Sequence, residues 1–140
     1  MITAVKISLA AAGFYLLTGM LIGVIKYRRM MESAEHQAPV YIDIAHRSAF
    51  FYSFAALVTA RLLEQNAFPE KVLLSAASAV LTFFTLTIVG YLATGLKNTT
   101  DNLFRERNFL TTWFMYALIA AEVVGFLIIF TGFIIKTFLS

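Results

Sequence analysis

The chain has 140 residues, 60% of them hydrophobic and only 14% charged, with a formal net charge of +3 and no cysteine. Soluble domains run at about 45–50% apolar and about 25% charged, so this composition points to a membrane protein. The missing thiol excludes disulfides, thiolate metal sites and a cysteine nucleophile.

The first apolar segment, Ile7 to Ile25, lies uncharged between Lys6 and Lys26. It is long enough for the roughly 20 residues a spanning helix needs. A weakly basic start and the lack of a small-residue cleavage site make it a retained helix, not a signal peptide. Gly19 and Gly23 form a Gly-x-x-x-Gly pair, with Gly13 above, a spacing that lets helix backbones approach closely. A polar first loop is expected over Tyr27 to Val40, carrying Arg28, Arg29, Glu32, Glu35 and His36.

Pro39 marks the start of a second helix, read as a span over Tyr41 to Leu63. It opens with Tyr41-Ile-Asp43-Ile-Ala-His46-Arg47. Asp43 and Arg47 are four residues apart and share one helix face, where they can pair. Tyr52 and Ser53 continue the polar character, and Ala55, Ala56 and Ala60 offer small packing positions. Two readings stand for this opening. One is a charge cluster anchoring the helix end at the interface. The other is a pocket at the cytoplasmic leaflet, with Asp43, His46 and Arg47 holding the polar end of a lipophilic molecule.

A short turn with Pro69 leads into the third segment, uncharged from Val72 to Leu96 and bearing Tyr91 near its end. The third loop, Lys97 to Arg107, centres on Asn98-Thr-Thr-Asp-Asn102. The last segment runs from Phe109 to Ile135 and contains one charge, Glu122, near its middle. A carboxylate at that depth costs at least about 2.5–3.5 kcal/mol on insertion scales, so it faces protein or a cavity. It is either a buried packing residue, bonded to hydroxyls such as Tyr15, Tyr52, Thr82, Thr85, Thr87 or Tyr91 or paired with a basic group of a second subunit, or a site for substrate, cation or proton. His46 and Glu122 differ in depth by about 12 Å at 1.5 Å per residue, too far for a direct bond.

These segments predict an all-α, polytopic membrane four-helix bundle with spans at about 5–26, 41–63, 71–97 and 108–136. Lys26, Arg28, Arg29, Arg47, Lys97, Arg105 and Arg107 fall on the side of the first and third loops, against Lys6, Arg61, Lys71 and Lys136 on the other. The bias puts those loops in the cytoplasm and both termini outside. The expected location is a plasma membrane, or the inner membrane of a bacterium. Basic residues flank the spans without forming a separate face, which argues against a nucleic-acid partner. No motif for serine-triad, phosphate-loop or metal-hydrolase chemistry occurs.

Four short spans, outside termini, a basic first loop, Ala45-His46 opening the second helix and Phe109-Leu-Thr-Thr-Trp113 opening the fourth resemble the MAPEG family of eicosanoid and glutathione metabolism. The resemblance implies a homotrimer with clefts between subunits. Ile44 stands where that family carries arginine and Phe51 where it carries glutamate, and the third helix lacks its arginine. Ala45-His46 and Tyr91 also resemble the styrene oxide isomerase and hydroxylaminobenzene mutase group, which implies haem b with His46 as axial ligand. The leading expectation is a ligand-binding or enzyme-like cleft lined by Asp43, His46, Arg47, Tyr52, Tyr91 and Glu122. The alternatives are a haem b protein, a non-catalytic accessory subunit of a larger membrane complex, and a proton-coupled transporter using Glu122.

Overall fold

The computed structural model describes residues 1–139. Four helices account for most of it: α1 (Thr3–Glu32), α2 (Val40–Glu64), α3 (Glu70–Lys97) and α4 (Met115–Ile134). A 3₁₀ turn at Leu103–Arg105 lies in the third loop, and π-helical turns at Leu110–Phe114 and Ile135–Leu139 extend α4 at both ends. Among the described residues, α1, α3 and α4 with its flanking turns are long and apolar enough to cross a membrane. α2 is not among them, because Asp43, His46, Arg47 and Arg61 interrupt its apolar run.

The first loop is shorter than the sequence suggests. α1 continues through Tyr27-Arg-Arg-Met-Met-Glu32, and only Ser33 to Pro39 connects it to α2. Arg, Met and Glu are good helix formers, so charge alone does not end a helix here. The last turn instead closes where Ser33 N–H donates to the Arg29 carbonyl. Pro39 and Pro69 each sit immediately before a helix, where a missing N–H costs nothing. Asn98, at φ 50°, ends α3 in the left-handed conformation that asparagine tolerates.

α2 touches all three other helices, whereas α4 rests chiefly on α3. The reason lies in small side chains. Ala45, Ala49, Ala56 and Ala60 on α2 are fully or almost fully buried. They form part of two core clusters, one around Tyr15, Ile22 and Phe84, the other around Leu63, Leu73 and Ile129. Three glycines sharpen the contacts. A Cβ on Gly95 of α3 would lie 2.5 Å from the Ile42 amide nitrogen, so α2 and α3 meet backbone to backbone there. One on Gly125 of α4 would lie 2.8 Å from Val80. Gly132 faces the Asn66 side chain. Small residues at these positions are what let the helix backbones approach so closely.

A few polar clamps fix the register. Tyr15 donates its hydroxyl to the Leu81 carbonyl at 2.8 Å and shares a bond with Thr85 Oγ1, tying α1 to α3. Asn66 Nδ2 donates to the Ile129 carbonyl at 2.8 Å, and Ala67 N–H donates to the Gly132 carbonyl at 3.1 Å. The α2–α3 turn is thereby latched to the far end of α4.

Candidate functional site

The six residues singled out by sequence fall into two groups on opposite sides of α2. The first lies in the α1–α2 seam. Gly19 and Gly23 clear a notch in α1, and the His46 ring fills it; a Cβ on Gly23 would lie 2.9 Å from His46 Cε1. His46 Nδ1 sits 2.9 Å from the Gly19 carbonyl. A carbonyl can only accept, so Nδ1 is the donor in this contact. Phe50 meets the same ring edge-on, with centroids 5.0 Å apart. Gly13, by contrast, has open space where its side chain would be.

Asp43 completes this group as the centre of a charge triad. Lys26 Nζ lies 2.5 Å from Asp43 Oδ1, and Arg47 donates to Oδ2 at 2.8 Å. Both carboxylate oxygens are therefore engaged by cations. Lys26 is the partner that sequence reasoning missed, because it lies on a different helix, seventeen residues from Asp43, and only the packing of α1 on α2 brings the two together. The triad joins the C-terminal part of α1 to the first turns of α2. Arg47 is the most exposed member, at 62%.

The second group lies between α2, α3 and α4. Tyr52 stacks on Phe84 of α3, with centroids 4.1 Å apart and planes 13° from parallel. Tyr91 packs on Tyr41, centroids 5.7 Å apart. The Tyr41 hydroxyl in turn accepts the Leu103 N–H at 2.7 Å, which pins the third loop to α2. Thr87 Oγ1 is buried, and although the Tyr52 hydroxyl faces it, no bond of good geometry forms. Glu122 lies within electrostatic reach of Tyr52 and Tyr91. Its Oε1 atom is buried and without a hydrogen-bond partner. Tyr15 and Thr85, which the sequence offered as partners for Glu122, bond to each other instead.

Beside Glu122 an open groove of about 470 Å³ runs between α2, α3 and α4. Ala55, Val58, Phe84, Val123, Phe126 and Leu127 form its apolar walls. Thr59 also lines it, but its hydroxyl already donates to the Ala55 carbonyl at 2.8 Å. A second recess, of about 140 Å³, follows the α3–α4 seam toward the third loop, past Thr87, Tyr91, Phe104 and Asn108. Thr87 on one wall and Leu118, one helical turn before Glu122, place it next to the first. Among the described residues, no group of three or more His, Asp or Glu side chains is placed to hold a metal ion.

No protein-family model, curated protein or solved structure matches the chain. The geometry is thus what the functional reading rests on. The structure does not gather the six predicted residues into one cleft: Asp43, His46 and Arg47 face α1, whereas Tyr52, Tyr91 and Glu122 belong to the α3–α4 side. Phe84 and Thr59 join the second group unannounced by sequence. Their apolar or hydroxyl character is shared by dozens of neighbours, and only the fold sets them beside Glu122.

Proposed function

We propose that this is an integral membrane protein that binds a lipophilic molecule carrying a polar end in the groove between α2, α3 and α4. One observation carries the reading: the single carboxyl of the Phe109–Ile135 segment has a buried oxygen without a partner, next to an open apolar groove. A buried polar atom left unpaired costs about 1–3 kcal/mol, more if charged, and a ligand that satisfies it recovers that cost. Exposed Val58, Val123 and Leu127 at the groove's rim give lateral access for a molecule dissolved in lipid. In this reading α2 also crosses the membrane, its charged opening held at the cytoplasmic interface by Lys26 and its exposed Phe51, Phe54 and Leu57 facing lipid.

Photo-crosslinking tests it. A decanol bearing a diazirine, presented to the protein in lipid nanodiscs, should label Val58, Val123 or Leu127, and excess plain decanol should compete. Ala55→Leu, which narrows the groove from the α2 side and leaves the Glu122 carboxyl in the chain, should abolish the saturable labelling. Labelling that never saturates, or that ignores Ala55→Leu, removes the groove as a binding site.

A second reading, haem b at His46, is favoured by one observation. With Nδ1 donating to the Gly19 carbonyl, Nε2 is the nitrogen left to coordinate iron, as in ligating histidines. An absorption spectrum of the purified protein decides it: a Soret band lost in His46→Ala supports haem, and a colourless protein after haem-supplemented expression rejects it. The homotrimer and the accessory-subunit readings are separated by native mass in detergent, the first giving a multiple of this chain and the second a fixed complex with other chains.

A further inference from the structure

We infer that the ligand of the α2–α3–α4 groove is a lipophilic amine, bound as its ammonium ion to Glu122. The inference rests on the groove being a binding site, as proposed above, and adds the chemistry of what it takes. Three features of the groove define that chemistry.

The first is the demand for a donor. Glu122 Oε1 is buried without a partner. None of the four ion pairs among the described residues involves Glu122. Thr59, the hydroxyl in the same groove, spends its proton on the Ala55 carbonyl. The Tyr52 and Tyr91 hydroxyls lie within electrostatic reach but Oε1 has no bond to either, so the place of a donor is open to a ligand.

The second is the absence of anything for a ligand's acceptor to meet. Ala55, Val58, Val80, Val123 and Leu127 have no polar side-chain atoms. A hydroxyl or amide head would bond to Glu122 and leave its own oxygen unsatisfied in an apolar site. An ammonium group has donors only, and the two Glu122 oxygens with the faces of Phe84 and Phe126 are what the groove offers them. The ammonium also neutralises the carboxylate, and a charge-assisted bond is roughly twice as strong as a neutral one.

The third is the wall. Phe84 and Phe126 line the groove, and Phe84 is held in place by its stack on Tyr52. Aromatic faces attract cations within about 6 Å, most strongly when water is excluded. The hydrocarbon part of the amine would lie against Val58, Val123 and Leu127, whose outer surfaces are exposed.

The test is competition between decylamine and decanol against the diazirine-decanol in nanodiscs, near neutral pH. The readout is the ratio of the two competitors' midpoints, compared between variants so that partition into lipid cancels. In the wild type decylamine should compete about tenfold better than decanol, the difference between a charged and a neutral hydrogen bond. Glu122→Gln should erase that preference, leaving the competitors alike. Ser75→Ala, at an exposed hydroxyl outside the groove that bonds to the Lys71 carbonyl of its own helix, should keep it. Equal competition in the wild type, or a preference that survives Glu122→Gln, overturns the amine assignment while leaving the groove intact. Should saturable labelling be missing altogether, the groove reading itself falls, and the amine assignment with it.

Discussion

At the scale of single residues, glycine contacts decide which substitutions the bundle bears. Gly95→Ala places a methyl group against the α2 backbone, 2.5 Å from a nitrogen that cannot swing aside. Overpacking of this kind costs about 1–3 kcal/mol. Gly13→Ala meets nothing within 4 Å and gains helix propensity, so its melting temperature in detergent should match or exceed the wild type. A Gly95→Ala protein as stable as Gly13→Ala would disprove the backbone contact. Sequence drew attention to Gly19 and Gly23 by their spacing, and both do face α2. It gave no such sign for Gly95, which has no glycine partner three or four residues away. Its importance comes from a neighbour more than fifty positions distant. The Asp43–Arg47 pair was legible because it is local, within one helix. The Lys26–Asp43 pair was not, because it needs α1 packed on α2. Glu122 stood out for the opposite reason: a charge in an uncharged stretch is visible without any fold, although what surrounds it is not.

At the scale of elements, the joint between the α2–α3 turn and α4 is polar and replaceable in one step. Asn66 bonds to the Leu62 and Ile129 carbonyls and caps the Phe68 amide. Asn66→Ala should destabilise the bundle by about 1–3 kcal/mol and loosen the C-terminal end of α4, seen as faster amide exchange around Ile129. Unchanged exchange there would show that apolar packing alone holds the joint. At the same end of the bundle the Thr3 N–H donates to Glu70 Oε1 at 2.8 Å, and this bond holds the Glu70 carboxyl below its ordinary range. A lowered carboxyl stabilises the fold above its unfolded value and loses that contribution as pH falls through the folded one. Wild type and Glu70→Ala should therefore differ in thermal stability at neutral pH and converge in acid. A gap that persists in acid would assign it to something other than the charge. Helix starts at Pro39 and Pro69 were readable because proline acts on its own backbone. The end of α1 was not, since no breaker residue marks it and its exposed last turn closes only on the Ser33 N–H to Arg29 carbonyl bond.

At the scale of the whole molecule, three of the four helices were carried by the length of their nearly uncharged runs, whereas α2 was read from Pro39 and the shorter apolar run between its charged ends. The arrangement of the helices was less accessible, because small residues on α2 permit several neighbours and only their combined fit selects one. The orientation read from basic residues remains to be measured. With Ala34→Cys in the first loop and Gln65→Cys in the second, an impermeant thiol reagent added to intact cells should label only Gln65→Cys if the loop bearing Ala34 is cytoplasmic. The reverse pattern would turn the protein over and place the Asp43 triad at the outer surface.

The π turn at the start of α4 bears on how the chain tolerates changes in length. Phe114 N–H reaches back five residues to the Phe109 carbonyl, so Leu110–Phe114 holds one residue more than an α turn would use. None of those five residues is buried, whereas Gly125, Ile129 and Gly132 fix the later part of α4 from within the bundle. Deleting one residue from Leu110–Phe114 is therefore expected to convert the turn to ordinary α-helix and shift only the third loop, with Glu122 kept at its groove. The same deletion between Asn66 and Pro69 has no slack to draw on and should cost the fold its latch. The molecule thus has a spare residue where its last helix begins and none where its central hairpin turns.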